Sequence, residues 1–219
     1  MNTLTSTPVA PLLDRLFAAA EATPFPVAAA TMPAAERDRL MRSKTDYRAF
    51  YGALRDMPLA VSREAGLLLY MLARGSTARS IVEFGTSFGI STLHLASALR
   101  DNGGGRLITC EFEPSKVVRA RANLTEGGLI DLVEIREGDA LETLSRDLPD
   151  TIDLLLLDGA KALYPEILAL VESRLRPGSF IVADNADHAP DYLDHVRSPA
   201  NGYLSTPFGE DVELSQRLV

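Results

Sequence analysis

The sequence predicts an α/β fold, a doubly wound and mainly parallel sheet preceded by accessory helices. Three observations predict it. From Ser80 onward, short apolar runs alternate with amphipathic helical stretches, the pattern of a parallel sheet covered on both faces. One run, TIDLLLLD (151–158), is almost wholly apolar, as a central strand buried on both faces must be. The N-terminal part carries Pro8, Pro11, Pro24, Pro26 and Pro33 between stretches of helical spacing, with no strand-like run.

The elements follow in order. A helix is expected over 11–22, with Pro11 tolerated in its first turn. TPFPVAAATMP (23–33) reads as a loop, and 34–42 and 45–55 carry apolar residues at helical spacing. Ser62 is an N-cap for a helix to 74, with Leu67, Leu68, Tyr70 and Met71 as its apolar face and Gly75 closing it. SIVEF is the first strand, and a helix over 91–100 and the turn DNGGG follow it. RLITCE is the second strand, followed by a helix over 114–126 that Gly127 and Gly128 end. LVEIREG is the third strand, with a short helix over 140–146 after it. TIDLLLLD is the fourth, and the helix over 164–175 after it is stopped by Pro177-Gly178. SFIVAD is the fifth strand, and in 202–219 the turn-like TPFGED separates two candidate strands.

The 219 residues suit one well-buried domain. No apolar run reaches the roughly 20 residues of a membrane span, and the first residues lack the basic and apolar regions of a signal peptide. A cytoplasmic protein with no membrane partner is the expectation. The single cysteine, Cys110, fits a reducing compartment and a buried strand position. A net charge of −8 with no basic cluster argues against nucleic acid as a partner.

Ligands of such sheets bind beyond the carboxyl ends of the strands. An acid stands at the end of all five strands: Glu83, Glu111, Asp139, Asp158 and Asp184. The first loop, Glu83-Phe84-Gly85-Thr86-Ser87-Phe88-Gly89-Ile90-Ser91, has Ser87 and Ile90 where a dinucleotide fingerprint needs glycine, and it lacks the lysine of a P-loop. A carboxylate beside it would repel phosphates. Gly85 and Gly89 let the backbone come close to a ligand. A cofactor with adenine, ribose and a cationic head but no phosphate fits, and S-adenosylmethionine is such a molecule. Glu111 can accept hydrogen bonds from ribose hydroxyls, and Asp139 can accept one from the adenine amino group. The candidate cofactor residues are Glu83, Gly85, Ser87, Gly89, Ser91, Glu111, Asp139, Ala140 and Asp158.

The fourth and fifth strands end LLLLDGAKALY and FIVADNADHAP, which brings Asp158 against Asp184 and Asn185. Two carboxylates and an amide suit a hard cation such as Mg²⁺. Lys161, three residues after Asp158, is the candidate general base, on the expectation that burial and a cation favour its neutral form. His188 and His195 read as surface or loop residues and His94 as structural. Phe84, Phe88 and Tyr164 read as core.

The set VEFGTSFGIST, ITCEFEP, EGDALE, LLLLDGAKALY and VADNADHAPDYLDHVR resembles the catechol O-methyltransferase-like class I S-adenosylmethionine-dependent methyltransferases. The resemblance runs from about Pro58 to the C-terminus, dividing the chain into an N-terminal helical segment, 1–57, and a methyltransferase domain, 58–219. It implies a seven-stranded sheet with one antiparallel strand near an edge. It implies cofactor roles for Glu83, Gly85, Ser91, Glu111 and Asp139, metal ligation by Asp158, Asp184 and Asn185, and Lys161 as base. It also implies a homodimer whose N-terminal helices shape the acceptor pocket, and a small, ortho-dihydroxy aromatic acceptor. The chain departs from the animal enzymes at Gly159-Ala160, where those carry histidine and tryptophan, and near Leu204, where the glutamate that holds a catechol hydroxyl has no counterpart. An RNA-modifying methyltransferase and a non-catalytic cofactor-binding protein are the competing readings.

Overall fold

The computed structural model describes residues 2–219. Seven strands form one sheet in the order β3-β2-β1-β4-β5-β7-β6. They are β1 (Ser80–Phe84), β2 (Arg106–Glu111), β3 (Val133–Glu137), β4 (Ile152–Leu157), β5 (Leu175–Ala183), β6 (Tyr203–Phe208) and β7 (Val212–Arg217). The first five run parallel, and β7 lies antiparallel between β5 and β6. The order reverses between β1 and β4, which opens a crevice above their carboxyl ends. Ten helices are described: α1 (Val9–Ala22), α2 (Val27–Ala30), α3 (Ala34–Arg42), α4 (Tyr47–Ala53), α5 (Arg63–Gly75), α6 (Ile90–Asp101), α7 (Pro114–Glu126), α8 (Ala140–Thr143), α9 (Tyr164–Val171) and α10 (Pro190–Arg197).

The period-2 geometry of the strands splits the core into two layers. Ile81, Leu107, Leu154, Leu156 and Val182 face α1, α5, α6 and α7. Val82, Ile108, Leu155, Leu157 and Ile181 face α8, α9 and α10. A small third cluster, Ala29, Leu40, Phe50 and Leu54, joins α2, α3 and α4 into a roof over one end of the sheet.

The first four strands fall where expected, but β5 begins four residues before SFIVAD, at Leu175, and β6 takes in Thr206, Pro207 and Phe208 of the expected turn; the other differences lie in the helices. A four-residue helix, α2, forms where 23–33 reads as a loop. Ser62 caps α5, accepting from the Ala65 N–H at 3.0 Å, but the expected apolar face is rotated. Leu67 and Met71 are half exposed, and Ala65, Gly66, Leu69 and Ala73 are buried with Leu68. Leu67 and Met71 share the face of Arg63, Glu64 and Arg74, which turns to solvent, and the opposite face is buried. There the helix approaches α6 closely: a side chain on Gly66 would put its Cβ 2.7 Å from His94 Nε2. The helix after β4 ends at Val171, and a 3₁₀ turn, Glu172–Arg174, leads into β5. Pro177-Gly178 does not stop a helix; it lies in a bulge of β5, where register passes from Ile152↔Leu175 to Leu154↔Phe180. The helix over 140–146 is only one turn long, and α10 had no expectation at all.

Candidate active site

The sheet is staged so that four loops leave it at one level. Backbone pairing continues just past the strands: Thr86 N–H donates to Cys110 O, Gly138 N–H to Glu111 O, Asp158 N–H to Phe84 O and Asp184 N–H to Leu157 O, at 3.2, 2.9, 2.8 and 2.9 Å. Gly85 sits where two of these loops touch. Its φ is +103°, and a Cβ there would lie 2.5 Å from the Asp158 carbonyl oxygen, so only glycine fits.

A pocket opens beside this loop. Gly85, Ser87, Glu111, Gly138, Ala140 and Asp158 line it. Its carboxylate, Glu111, is oriented before any ligand arrives: Oε2 accepts the Ser87 N–H at 2.9 Å and Oε1 the Glu113 N–H at 3.0 Å. Ser87 Oγ accepts in turn from the Leu59 N–H at 3.0 Å, tying the loop to the segment after α4. Asp139 stands between two lining residues, where its Oδ1 caps α8 at the Leu141 N–H (2.9 Å) and its Oδ2 pairs with Arg48 of α4. Cys110 also lines the wall, but burial pushes its thiol up to about 12, so it offers no thiolate.

Glu83, Gly89 and Ser91 lie beneath this cavity and not on its wall. Glu83 is fully buried, accepting from Ser91 Oγ at 2.5 Å and Thr92 Oγ1 at 2.6 Å. Burial pushes its carboxyl up to about 7 despite those hydroxyl donors. Its observable work is to fasten the first turn of α6 to β1, which holds the loop from below.

The ends of β4 and β5 form the second constellation. Lys161 Nζ lies 3.0 Å from Asp158 Oδ1 and 3.9 Å from Asp184 Oδ2, with all three side chains largely buried. The Tyr164 hydroxyl lies 2.8 Å from Leu157 O and 2.7 Å from Asp184 O, bracing the two strand ends. Burial, then the neighbouring Asp158, pushes the Asp184 carboxyl up to about 7; burial also raises Asp158, against the pull of Lys161. Burial alone would lower Lys161, but the surrounding Tyr164, Asp158, Tyr51 and Asp184 hold it well above the ordinary lysine range. Two carboxylates and two phenols thus surround the Lys161 amine where the neutral form was expected beside a cation.

Asn185 takes a left-handed backbone (φ 48°), and its Nδ2 donates to Asp211 Oδ2 at 2.9 Å. Asp211 belongs to the β6–β7 turn, whose backbone carbonyl also accepts the Ala186 N–H. Among the described residues, no three His, Cys, Asp or Glu gather as a metal site; the candidate set here is two acids and one amide.

These residues line a second, larger and more open cavity, roofed by Phe17 of α1, Met41 of α3, Phe50 of α4 and the loop after it. His188 also lines it, half exposed. His195 instead pairs with Glu172 on the outer face, and His94 is buried against Phe17. The two cavities share a wall of Tyr51, Leu59, Asp158 and Gly159.

Four residues escaped the sequence reading: Tyr47 and Tyr51, which bring aromatic surface to the first cavity; Lys116, buried in its wall; and Asp211. The gap at Gly159-Ala160 has a local cause as well. The Phe84 ring occupies the space above Gly159, where a Cβ would come within 2.4 Å of it. The aromatic surface here comes from Phe84, Tyr47, Tyr51 and Phe112, with Tyr47 and Phe112 edge-to-face at 6.3 Å.

Residues 82–186 match the methyltransferase domain family, a span that runs from β1 to just past Asn185. A catechol O-methyltransferase of Niastella koreensis is 36% identical over 139 residues, 62% of this chain and 62% of that protein. The matched segment thus spans about three fifths of that relative. Among solved structures, cofactor-bound Rv0187 from MTB is 27% identical with a TM-score of 0.69, covering 98% of this chain and 94% of the other. The O-methyltransferase TomG from Streptomyces achromogenes, solved with SAM, is 26% identical with a TM-score of 0.64, covering 93% and 95%. By sequence the chain is similar to catechol O-methyltransferases, and by fold to solved O-methyltransferases. Among the described residues, no helix is long and apolar enough to cross a membrane.

Proposed function

We propose that the chain transfers the methyl group of S-adenosylmethionine to an oxygen of a small hydroxylated acceptor, an ortho-dihydroxy aromatic compound, with a divalent cation's help. The observation that carries this reading is the shared wall. The cavity with the ribose-type acid Glu111 and the cavity with Lys161, Asp184 and Asn185 meet at Asp158 and Gly159. A methyl donor in one and an oxygen nucleophile in the other would face each other there. The SAM-bound TomG structure and the catechol O-methyltransferase relative support the donor and the acceptor class.

Glu111 would hold the ribose hydroxyls, Ala140 and Asp139 the adenine, and the Gly85–Gly89 loop the methionyl end. Glu83 and Ser91 would act by keeping that loop in shape. Asp158, Asp184 and Asn185 fit a hard cation, because they are an all-oxygen donor set. Mg²⁺ bound there would supply Lewis-acid polarisation of the acceptor oxygens. Asp211, by holding the Asn185 amide nitrogen, leaves its carbonyl oxygen for ligation. In-line transfer forms the C–O bond as the C–S bond breaks, and the acceptor's proton passes to Lys161 Nζ. A cation held by Asp158 and Asp184 would favour the neutral amine that accepts this proton. Most of the rate advantage would come from fixing oxygen and methyl in line, worth roughly 7–11 kcal/mol in favourable cases. Residues 1–57 would form the acceptor side and contacts to a second copy.

The test is S-adenosylhomocysteine release with a panel of ortho-diphenols, in Mg²⁺ and in EDTA. Turnover that needs Mg²⁺ supports the whole reading. Equal turnover in EDTA removes the cation from it, and turnover on RNA but on no small acceptor replaces it.

A further inference from the structure

The first cavity contains a charged group that the reading above leaves idle. Lys116 is the third residue of α7, lines the cavity wall and is only 3% exposed. Two features of its position disfavour a lysine. Burial opposes its charge, and the first turn of a helix carries a positive end of the peptide dipoles. Pairing does not compensate: Glu111, Glu113 and Asp158 act on it through space, and its ammonium makes no hydrogen bond or ion pair among the described residues. Burial correspondingly lowers its pKa.

Glu111 is the opposite case, with one backbone amide on each carboxylate oxygen, further lone pairs to offer, and a place on the same cavity wall. A ligand group that satisfies both side chains must donate to Glu111 and accept from Lys116. A hydroxyl does both at once, and a vicinal diol does so with fixed spacing. A phosphate could accept from Lys116 but would meet the charges of Glu111 and Asp158. The pair is therefore a reader of hydroxyl groups and a poor reader of anions.

Resting on the assignment of this cavity to S-adenosylmethionine, we propose that Lys116 determines cofactor specificity, its ammonium donating to the oxygens of the ribose diol whose hydroxyls donate to Glu111. The lysine is then stabilised by the ligand and not by the fold, so removing its charge should help the free protein and harm the complex. Methionine keeps most of the stem and deletes the donor.

The experiment is calorimetric titration of wild type and Lys116→Met with S-adenosylhomocysteine and its 2′-deoxy and 3′-deoxy analogues, with thermal unfolding of the free proteins. The expected result is binding of S-adenosylhomocysteine weakened about ten- to hundredfold in the variant, the range for a charge-assisted hydrogen bond. The penalty for at least one deoxy analogue should shrink by a similar factor, and the unfolding midpoint should rise by roughly 2–4 °C. Affinity within about threefold of wild type overturns the proposal. So does an equal loss for the parent and both analogues, which would mark a merely structural role. Lys116→Gln, a smaller polar change, carries the same test if the methionine variant does not fold. Wild type that fails to bind S-adenosylhomocysteine would instead defeat the cofactor reading itself.

Discussion

The two cavities that meet at Asp158 are built from different materials. The first rests on adjacent strand ends joined by backbone hydrogen bonds of 2.8–3.2 Å, with an acid clamped between two amides. The second is roofed by Phe17 of α1, which packs into the main core, and by α3 and α4, whose region also meets α9 and α8 through side-chain pairs such as Lys44–Glu166 and Arg48–Asp139. Exposed pairs of that kind contribute about 0–1 kcal/mol each. The lesson is a division of labour: a shelf fixed by the backbone for one ligand and an adjustable roof for the other. Its consequence is that damage to the second site should leave ligand binding in the first intact.

The largest effect expected is on turnover. Lys161→Met should lower kcat by about 10²–10⁴-fold, the usual worth of a general base, with S-adenosylhomocysteine affinity held within about threefold. A parallel loss of affinity would break the separation of the two sites. Gly85→Ala attacks the shelf, adding a Cβ 2.5 Å from the Asp158 carbonyl at a φ that alanine avoids. Urea unfolding should show about 2–5 kcal/mol of destabilisation, and the first ligand should bind poorly. A variant of wild-type stability and affinity would show that the shelf is not rigid.

A smaller effect sharpens the comparison from beneath the shelf. The Glu83 carboxyl stands at about 7 in the folded protein against an ordinary 4.5, so its ionisation costs stability as pH rises through that window. Glu83→Gln stays neutral. Its stability relative to wild type should grow between pH 5 and pH 8 by up to about 3 kcal/mol, at 1.36 kcal/mol per pH unit. A difference independent of pH, measured by urea unfolding at both values, would place the charge of Glu83 elsewhere.

This contrast also governs what could be read in advance. SIVEF and RLITCE are the observed β1 and β2 to the residue, and Glu111, Asp158 and Asp184 line the cavities because parallel topology puts ligand-facing residues at strand ends; Glu83 and Asp139 line neither. The Asp158, Lys161 and Asp184 constellation was legible for the same reason: two neighbouring strands bring their ends together. The roof was not. Tyr47 and Tyr51 face the cavity through the packing of α4, which no local period reports, and Asp211 reaches Asn185 from a hairpin turn 26 residues further on. Lys116 reads as an ordinary solvated lysine in a helix's first turn, and only tertiary burial makes it unusual. The apolar face of α5 was legible too, from the side that Arg63, Glu64 and Arg74 share with Leu67 and Met71, but the expectation followed the local leucine run instead.

Asp184→Ala tests the central claim most directly, with S-adenosylhomocysteine binding and Mg²⁺-dependent turnover on an ortho-diphenol measured on the same preparation. Asp184 lines only the second cavity. The account predicts turnover reduced by at least about a hundredfold, with affinity for S-adenosylhomocysteine within about threefold of wild type. Full turnover, or loss of turnover and affinity together, would contradict it.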